Sequence, residues 1–224
     1  MRHCTEYSPA VLSSPPLLVT MPGMGPRAAV IAGLAALLCA CATTSGDLAY
    51  KRGDLEEAAQ IWEDAAGRGD AAAALKLGDL HENYVVKTAE SDKALFWYER
   101  ACQLGNAEGC HDAAEAYQTA HGTPKDLNKA FEYYSKAARK GHVPSQYSVA
   151  EMYADGVVKP KNPVDGYKWI LLAQDQAQSP FVDDSVRQQV LLDLDGTRER
   201  LEKQLTPEQK RRAVAEQKAW RPER

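Results

Sequence analysis

A step of 36 residues organises the middle of this chain. Alanine recurs at Ala65, Ala101, Ala137 and Ala173, and glycine at Gly69, Gly105 and Gly141. Bulky residues keep the same interval at Ile61, Trp97, Tyr133 and Trp169, and beside them at Trp62, Tyr98, Tyr134 and Ile170. A fixed period in this range is the signature of a stacked-repeat architecture, in which one unit buries its faces only against its neighbours. Alanine in every copy lets adjacent helices approach closely, and the aromatics one turn earlier fill the space between successive hairpins. The glycines stand where helix C-terminal stops are expected. Solenoids of this kind offer extended binding surfaces, so the period favours recognition over catalysis.

Three full units run over about 71–106, 107–142 and 143–178. Each opens with an apolar-patterned helix (AAALKLGDL, GCHDAAEAY, SQYSVAEMY) and closes with a second (DKALFWYERACQLG, NKAFEYYSKAARKG, VDGYKWILLAQDQA). Residues 47–70 read as a shortened first unit whose second helix starts at Asp54, a good N-cap. A truncated terminal unit is expected, because the ends of a solenoid must be capped. Beyond Pro180 the period is lost, and 179–224 read as a C-terminal cap of two helices, 183–204 and 207–220. Thr206-Pro207-Glu208-Gln209 supplies an N-cap, proline at the first helical position and glutamine three residues after the cap. Trp220 is placed to dock back onto the repeats. No segment alternates like a strand, so the expected fold class is all-α.

The strongest apolar run, Ala28 to Ala40, is too short to span a bilayer, which takes about 20 residues. It follows Arg27 and ends in small residues, the layout of a secretory signal peptide. Met24 stands just before it, so residues 1–40 read as leader and signal, with Met24 as the expected true start and 41–46 as a polar tether. Of five cysteines, Cys4 and Cys39 leave with the signal. Residues 41–197 carry 16 basic and 25 acidic side chains, a net of −9, whereas 198–224 carry nine and five. An acidic body argues against general nucleic-acid binding. The basic tail can touch an anionic surface or fold against the body.

Candidate chemistry is sparse. His81, His111, His121 and His142 make no i, i+4 pair on one helix, and none neighbours an acidic ligand motif. His111 stands at the position of Leu75 and Tyr147 and reads as a core-edge residue. No serine has lysine three places on, and no glycine-rich phosphate loop is present. The expectation is therefore no catalytic residue, no metal and no cofactor. One pattern stands apart: Asp79, Glu115 and Glu151 share a position in consecutive first helices, with Asp112 one turn before Glu115. Stacked helices lie about 10 Å apart, so these carboxylates form a stripe rather than an acid/base pair. A stripe suits a basic or amine-bearing peptide; the ordinary alternative is a solvated polar face. Tyr117 and Tyr153 are candidate anchors at its edge, although their repeat position makes them core first.

Leu77-Gly78, Lys93-Ala94 with Trp97-Tyr98, and Lys129-Ala130 with Tyr133-Tyr134 together resemble Sel1-like repeats, relatives of the tetratricopeptide repeat. The resemblance covers about 47–178, and the closing LTPEQ…AW stretch is similar to a common ending of the family. It implies a right-handed α-solenoid of helical hairpins whose first helices line the concave side. The chain departs from the pattern at His81, at Gly166 and at Asn83-Tyr84-Val85, which stands where a glycine-rich turn is usual. ACQLGNAEGCH is similar to the cysteine-rich secreted branch of the family, where a C-x7-C pair staples one hairpin to the next, and this implies a Cys102–Cys110 disulfide. Leu38-Cys39-Ala40-Cys41 resembles a bacterial lipobox with Cys41 as the acylated residue, and Ala42 after it favours outer-membrane sorting. The combined expectation is a lipid-anchored periplasmic protein that binds a protein or peptide, with a cell-wall enzyme or peptidoglycan-fragment binder as the alternative.

Overall fold

The computed structural model describes residues 45–83, 91–157, 162–177 and 194–223. The leader, the candidate lipidation site Cys41, the Tyr84-Val85 turn and the start of the first closing helix lie outside these residues. Every regular element described is a helix. α1 covers 45–52. It is followed by α2 (Leu55–Gly67), α3 (Ala71–Asn83), α4 (Ser91–Gln103), α5 (Ala107–Thr119), α6 (Leu127–Arg139), α7 (Val143–Asp155) and α8 (Pro163–Ala177). α9 covers 194–202, and α10 is Pro207–Ala219. Helices α3/α4, α5/α6 and α7/α8 form the three hairpins, and each hairpin packs on the next through α4 on α5 and α6 on α7. The result is an α-solenoid. Among the described residues no helix is long and apolar enough to cross a membrane.

The junctions repeat as faithfully as the helices. Gly69, Gly105 and Gly141 all take positive φ, at 97°, 96° and 91°, where a side chain would be strained. The residue after each glycine folds its N–H back across the helix end. Asp70 donates to the Ala65 carbonyl at 3.0 Å, Asn106 to Ala101 at 2.9 Å and His142 to Ala137 at 3.1 Å. That same residue then starts the next helix. Asp70 Oδ1 accepts from the N–H of Ala72 and Ala73, and Asn106 Oδ1 from that of Gly109. At Asp54 the expected cap is not made, because the carboxylate is drawn instead to Arg52 Nε at 3.0 Å. Thr206 and Gln209 do form the reciprocal capping box that opens α10.

The alanines of the period are fully buried at 65, 101, 137 and 173. Trp62, Tyr98, Tyr134 and Ile170 are buried beside them, while Trp97 and Tyr133 are half-buried between hairpins. Cys102 and Cys110 are joined by a disulfide with their Cα atoms 4.5 Å apart, and Tyr133 covers it from the next hairpin. One unit later the same two positions hold Ala138 and Gln146, whose side-chain amide donates to the Ala138 carbonyl at 3.2 Å. Ser45 and Gly46, read as the end of the tether, belong to α1. Gly46 lies so close to Trp62 that a Cβ there would stand 2.3 Å from the indole nitrogen. At the other end Trp220 meets Trp169 edge-on at 6.4 Å, and the Glu223 N–H bonds the Arg139 carbonyl at 2.8 Å. The tail thus folds against the body.

Candidate functional site

The buried aromatic at 62, 98 and 134 reaches toward a residue sixteen places before it. Tyr98 donates to Glu82 Oε2 at 2.5 Å, and Tyr134 to the Gln118 side-chain oxygen at 2.7 Å. In the third hairpin both partners turn apolar, as Ile170 and Ala154. In the shortened unit before the hairpins, Trp62 points at Gly46, and its indole nitrogen is buried without a partner. This ladder sets the polar face of the first helices, because each hydroxyl brings a carboxylate or amide with it.

Around Tyr98 the face is strongly acidic. The Tyr98 hydroxyl also lies 3.2 Å from Asp79 Oδ1. Burial raises the Asp79 carboxyl above its usual range, partly offset by the Tyr98 hydrogen bond, and Glu108 and Glu82 raise it further. Asp112 is pushed up to about 8, first by burial and then by Glu108, Asp79, Glu82 and Glu115. Among the described residues no ion pair reaches any of these five carboxylates. Lys76 of α3 pairs instead with Asp47 of α1.

Three of the four carboxylates read as a stripe are brought together, and the fourth is not. Asp79, Asp112 and Glu115 share the open face, but Glu151 lies under the C-terminal cap. There Arg200 bridges Glu151 at 3.5 Å and Asp155 at 2.7 Å, and the Thr197 hydroxyl donates to Glu151 at 3.4 Å. The tyrosine anchors are not at its edge. Tyr117 donates to Glu99 on α4 at 2.9 Å and stacks on Tyr133 at 5.8 Å. Tyr153 meets Phe131 edge-on and lines a different cleft with Trp169 and Lys136. The reason is helical geometry: two residues on from Glu115 or Glu151 is about 200° around the helix. Tyr98 and Glu82, which the stripe reading missed, are the polar pair at the site. Their sixteen-residue spacing, repeated at Tyr134 and Gln118, was the available signal.

His111 corrects the histidine reading. It stands i, i+4 from Glu115, and together with Asp112 the three bring ligand atoms within 4.8 Å of one another. This trio is the grouping that can meet at one cation among the described residues. Its Nδ1, however, is 2.9 Å from the Ser145 hydroxyl, which also lies 2.8 Å from His142 Nδ1. Burial lowers both imidazoles to about 4, helped at His142 by His111. Two neutral rings on one hydroxyl form a packing joint between α5 and α7.

Residues 71–106, 107–142 and 143–176 each match the Sel1 repeat family model. A solved structure from uropathogenic Escherichia coli, the protective antigen c5321 with an SLR fold, is similar at a TM-score of 0.61 and 22% identity. That similarity covers 86% of this chain but 39% of the antigen. A Sel1 repeat protein from Oxalobacter formigenes is similar at a TM-score of 0.51 and 23% identity, over 75% of this chain and 73% of the other. At these identities the likeness concerns the fold. No curated protein matches the chain. Sel1-repeat proteins generally mediate protein–protein interaction and are generally non-catalytic scaffolds.

Proposed function

We propose, from the premise that this chain is a Sel1-repeat protein with three tandem copies over 71–176, that it is a lipid-anchored envelope protein. It faces the periplasm from the outer membrane and binds a protein or peptide partner on its first-helix face. The observation that carries the binding surface is the group of carboxylates on α3 and α5, which no cation of the described residues pairs. Uncompensated like charge raises the energy of the free state, and a basic partner relieves it. Support for the location is separate. The LCAC stretch ends at Cys41 where a lipobox would place its acyl group, and the Cys102–Cys110 disulfide suits an oxidising compartment.

Capture from a crosslinked envelope extract tests the reading. The bait is the full chain in detergent, beside a variant carrying Asp79→Lys and Glu115→Lys. Glu151 is left intact, because Arg200 already engages it. The expected result is a discrete partner that the wild type retains and the charge-reversed chain loses. Absence of any specific partner for either chain would remove the interaction reading. Intact mass after expression in a Gram-negative host checks the anchor: acylation at Cys41 is expected, and an unmodified chain keeping residues 24–40 would remove it.

A further inference from the structure

The acidic site has two relatives in the same molecule, one repeat to either side. A cavity of about 230 Å³ opens at Tyr98, Glu82, Asp112 and Glu115, with Leu95 and Ala116 also in its lining. One repeat earlier, Trp62, Lys76, Asp79 and Leu80 line a cavity of about 270 Å³. These four are the 36-residue counterparts of Tyr98, Asp112, Glu115 and Ala116. One repeat later, Glu151 and Asp155 are the counterparts of Glu115 and Thr119.

The flanking sites each hold a cation of the chain itself. In the first, Lys76 lies near Asp79, pairs with Asp47 and sits 5.8 Å from the centre of the Trp62 ring. In the third, Arg200 reaches in from α9 and bonds Asp155 and Glu151. The middle site differs in both respects. Asp112 stands where the first site has Lys76, and no side chain of the described residues plays the part of Arg200. The middle site therefore carries the most negative charge and the least compensation of the three.

We propose that the middle site, between α3, α4 and α5, receives a lysine or arginine side chain from a protein partner, in place of the cations that Lys76 and Arg200 supply next door. The shape agrees with that occupant. An aliphatic stem lies on Leu95 and Ala116, while the charged head meets Glu82, Asp112 and Glu115 and the Tyr98 hydroxyl. The proton affinity of Asp112 is raised first by its burial and then by the neighbouring Glu108, Asp79, Glu82 and Glu115. Arg200 shows that the repeat accepts a guanidinium at this position when a helix presents one. The inference rests on the interaction reading above and specifies its recognition chemistry.

A dodecamer library displayed on phage, panned against the full chain in detergent, supplies the probe. Enriched peptides are measured by fluorescence anisotropy against the wild type and against Asp112→Asn with Glu115→Gln. Both substitutions are close in shape and remove charge, and circular dichroism checks that the variant is folded. The expected peptides share one lysine or arginine position, lose binding when that residue becomes glutamine, and bind the variant at least tenfold more weakly. Peptides without a shared basic position, or basic peptides that bind the variant as tightly, would overturn the proposal. So would zinc chloride raising the melting temperature of the wild type but not of His111→Gln while no basic peptide is enriched, which would make this a metal site. The envelope capture separates the two levels. A partner retained by Asp112→Asn with Glu115→Gln but lost on charge reversal removes the side-chain slot alone. No partner at all removes the interaction reading beneath it.

Discussion

His111 and His142 meet across the Ser145 hydroxyl, their ring centres 4.8 Å apart, with Tyr134 against the His111 ring. Each ring takes up its proton at about 4 in the folded chain and near 6.5 when unfolded. Between those values the unfolded state binds more protons, so stability falls as pH drops from about 6.5 toward 4. Between pH 7.5 and 4.5 in urea titrations, the wild type should lose on the order of 3 kcal/mol more than a chain with both histidines changed to asparagine, since other titrating groups are common to the two. Equal losses in the two chains would place the acid sensitivity elsewhere. Asp112 works in the opposite sense. Its proton leaves at about 8 in the folded chain against 3.8 ordinarily, so the folded state binds more protons and stability is lost as pH rises through that window. Asp112→Asn should therefore raise stability by roughly 2 kcal/mol at pH 8, allowing for partial screening, and by nearly nothing at pH 4. A destabilised variant at pH 8 would show that the carboxylate makes a favourable contact after all.

At the scale of the hairpin, one position carries three different fastenings. Residues 66 and 74, 102 and 110, and 138 and 146 are equivalent, and they hold alanine with alanine, a disulfide, and alanine with glutamine. If the junctions are as alike as their backbone bonds, Ala138→Cys with Gln146→Cys should form a second disulfide. The change also removes the buried, unpartnered oxygen of Gln146. In the chain-entropy model a loop this short contributes about 2.5 kcal/mol, so the oxidised variant should gain about that much and lose it on reduction. Free thiols in both positions under air would show that the third junction is wider than the second. The same comparison explains what the sequence could and could not disclose. Helices, their stops at Gly69, Gly105 and Gly141, and the burial of Ala65, Ala101, Ala137 and Ala173 follow from a local rule repeated in register. The site did not follow so easily, because it depends on where copies differ. Asp112 matters through Lys76 in the copy before it. Glu151 looked equivalent to Glu115 until α9, which has no place in the period, put Arg200 over it. Tyr117 was drawn to the stripe by sequence nearness, although two residues along a helix lead to the opposite side.

Over the whole molecule, the main helix–helix contacts of each hairpin among the described residues are with its neighbours, so stability should vary along the solenoid rather than rise and fall as one. The C-terminal end is where this can be seen. The tail brings nine basic and five acidic residues over 198–224, yet its pairs with the body run both ways: Arg200 to Asp155, but also Glu216 to Lys168 and Glu223 to Arg139. Most of these are partly exposed, and such pairs contribute about 0–1 kcal/mol each. What holds the end is apolar: Trp220 against Trp169, Ala213 on the buried face of α10, and Leu201 and Leu205 in the core beside the last hairpin. Net charge is thus a poor guide to the cap, and its ionic contacts set orientation more than strength. Trp220→Ala should accordingly cost about 1–3 kcal/mol, through lost burial and the edge contact, whereas Arg139→Ala should cost under about 0.5 kcal/mol. Hydrogen exchange resolves the difference by position. In Trp220→Ala the amides of α8 and α10 should exchange faster while those of α3 to α5 keep their protection, since the loss is nearest-neighbour. Faster exchange spread evenly from α3 to α10 would mean instead that the cap and the acidic site unfold as a single unit, and binding at the site would then tighten the cap as well.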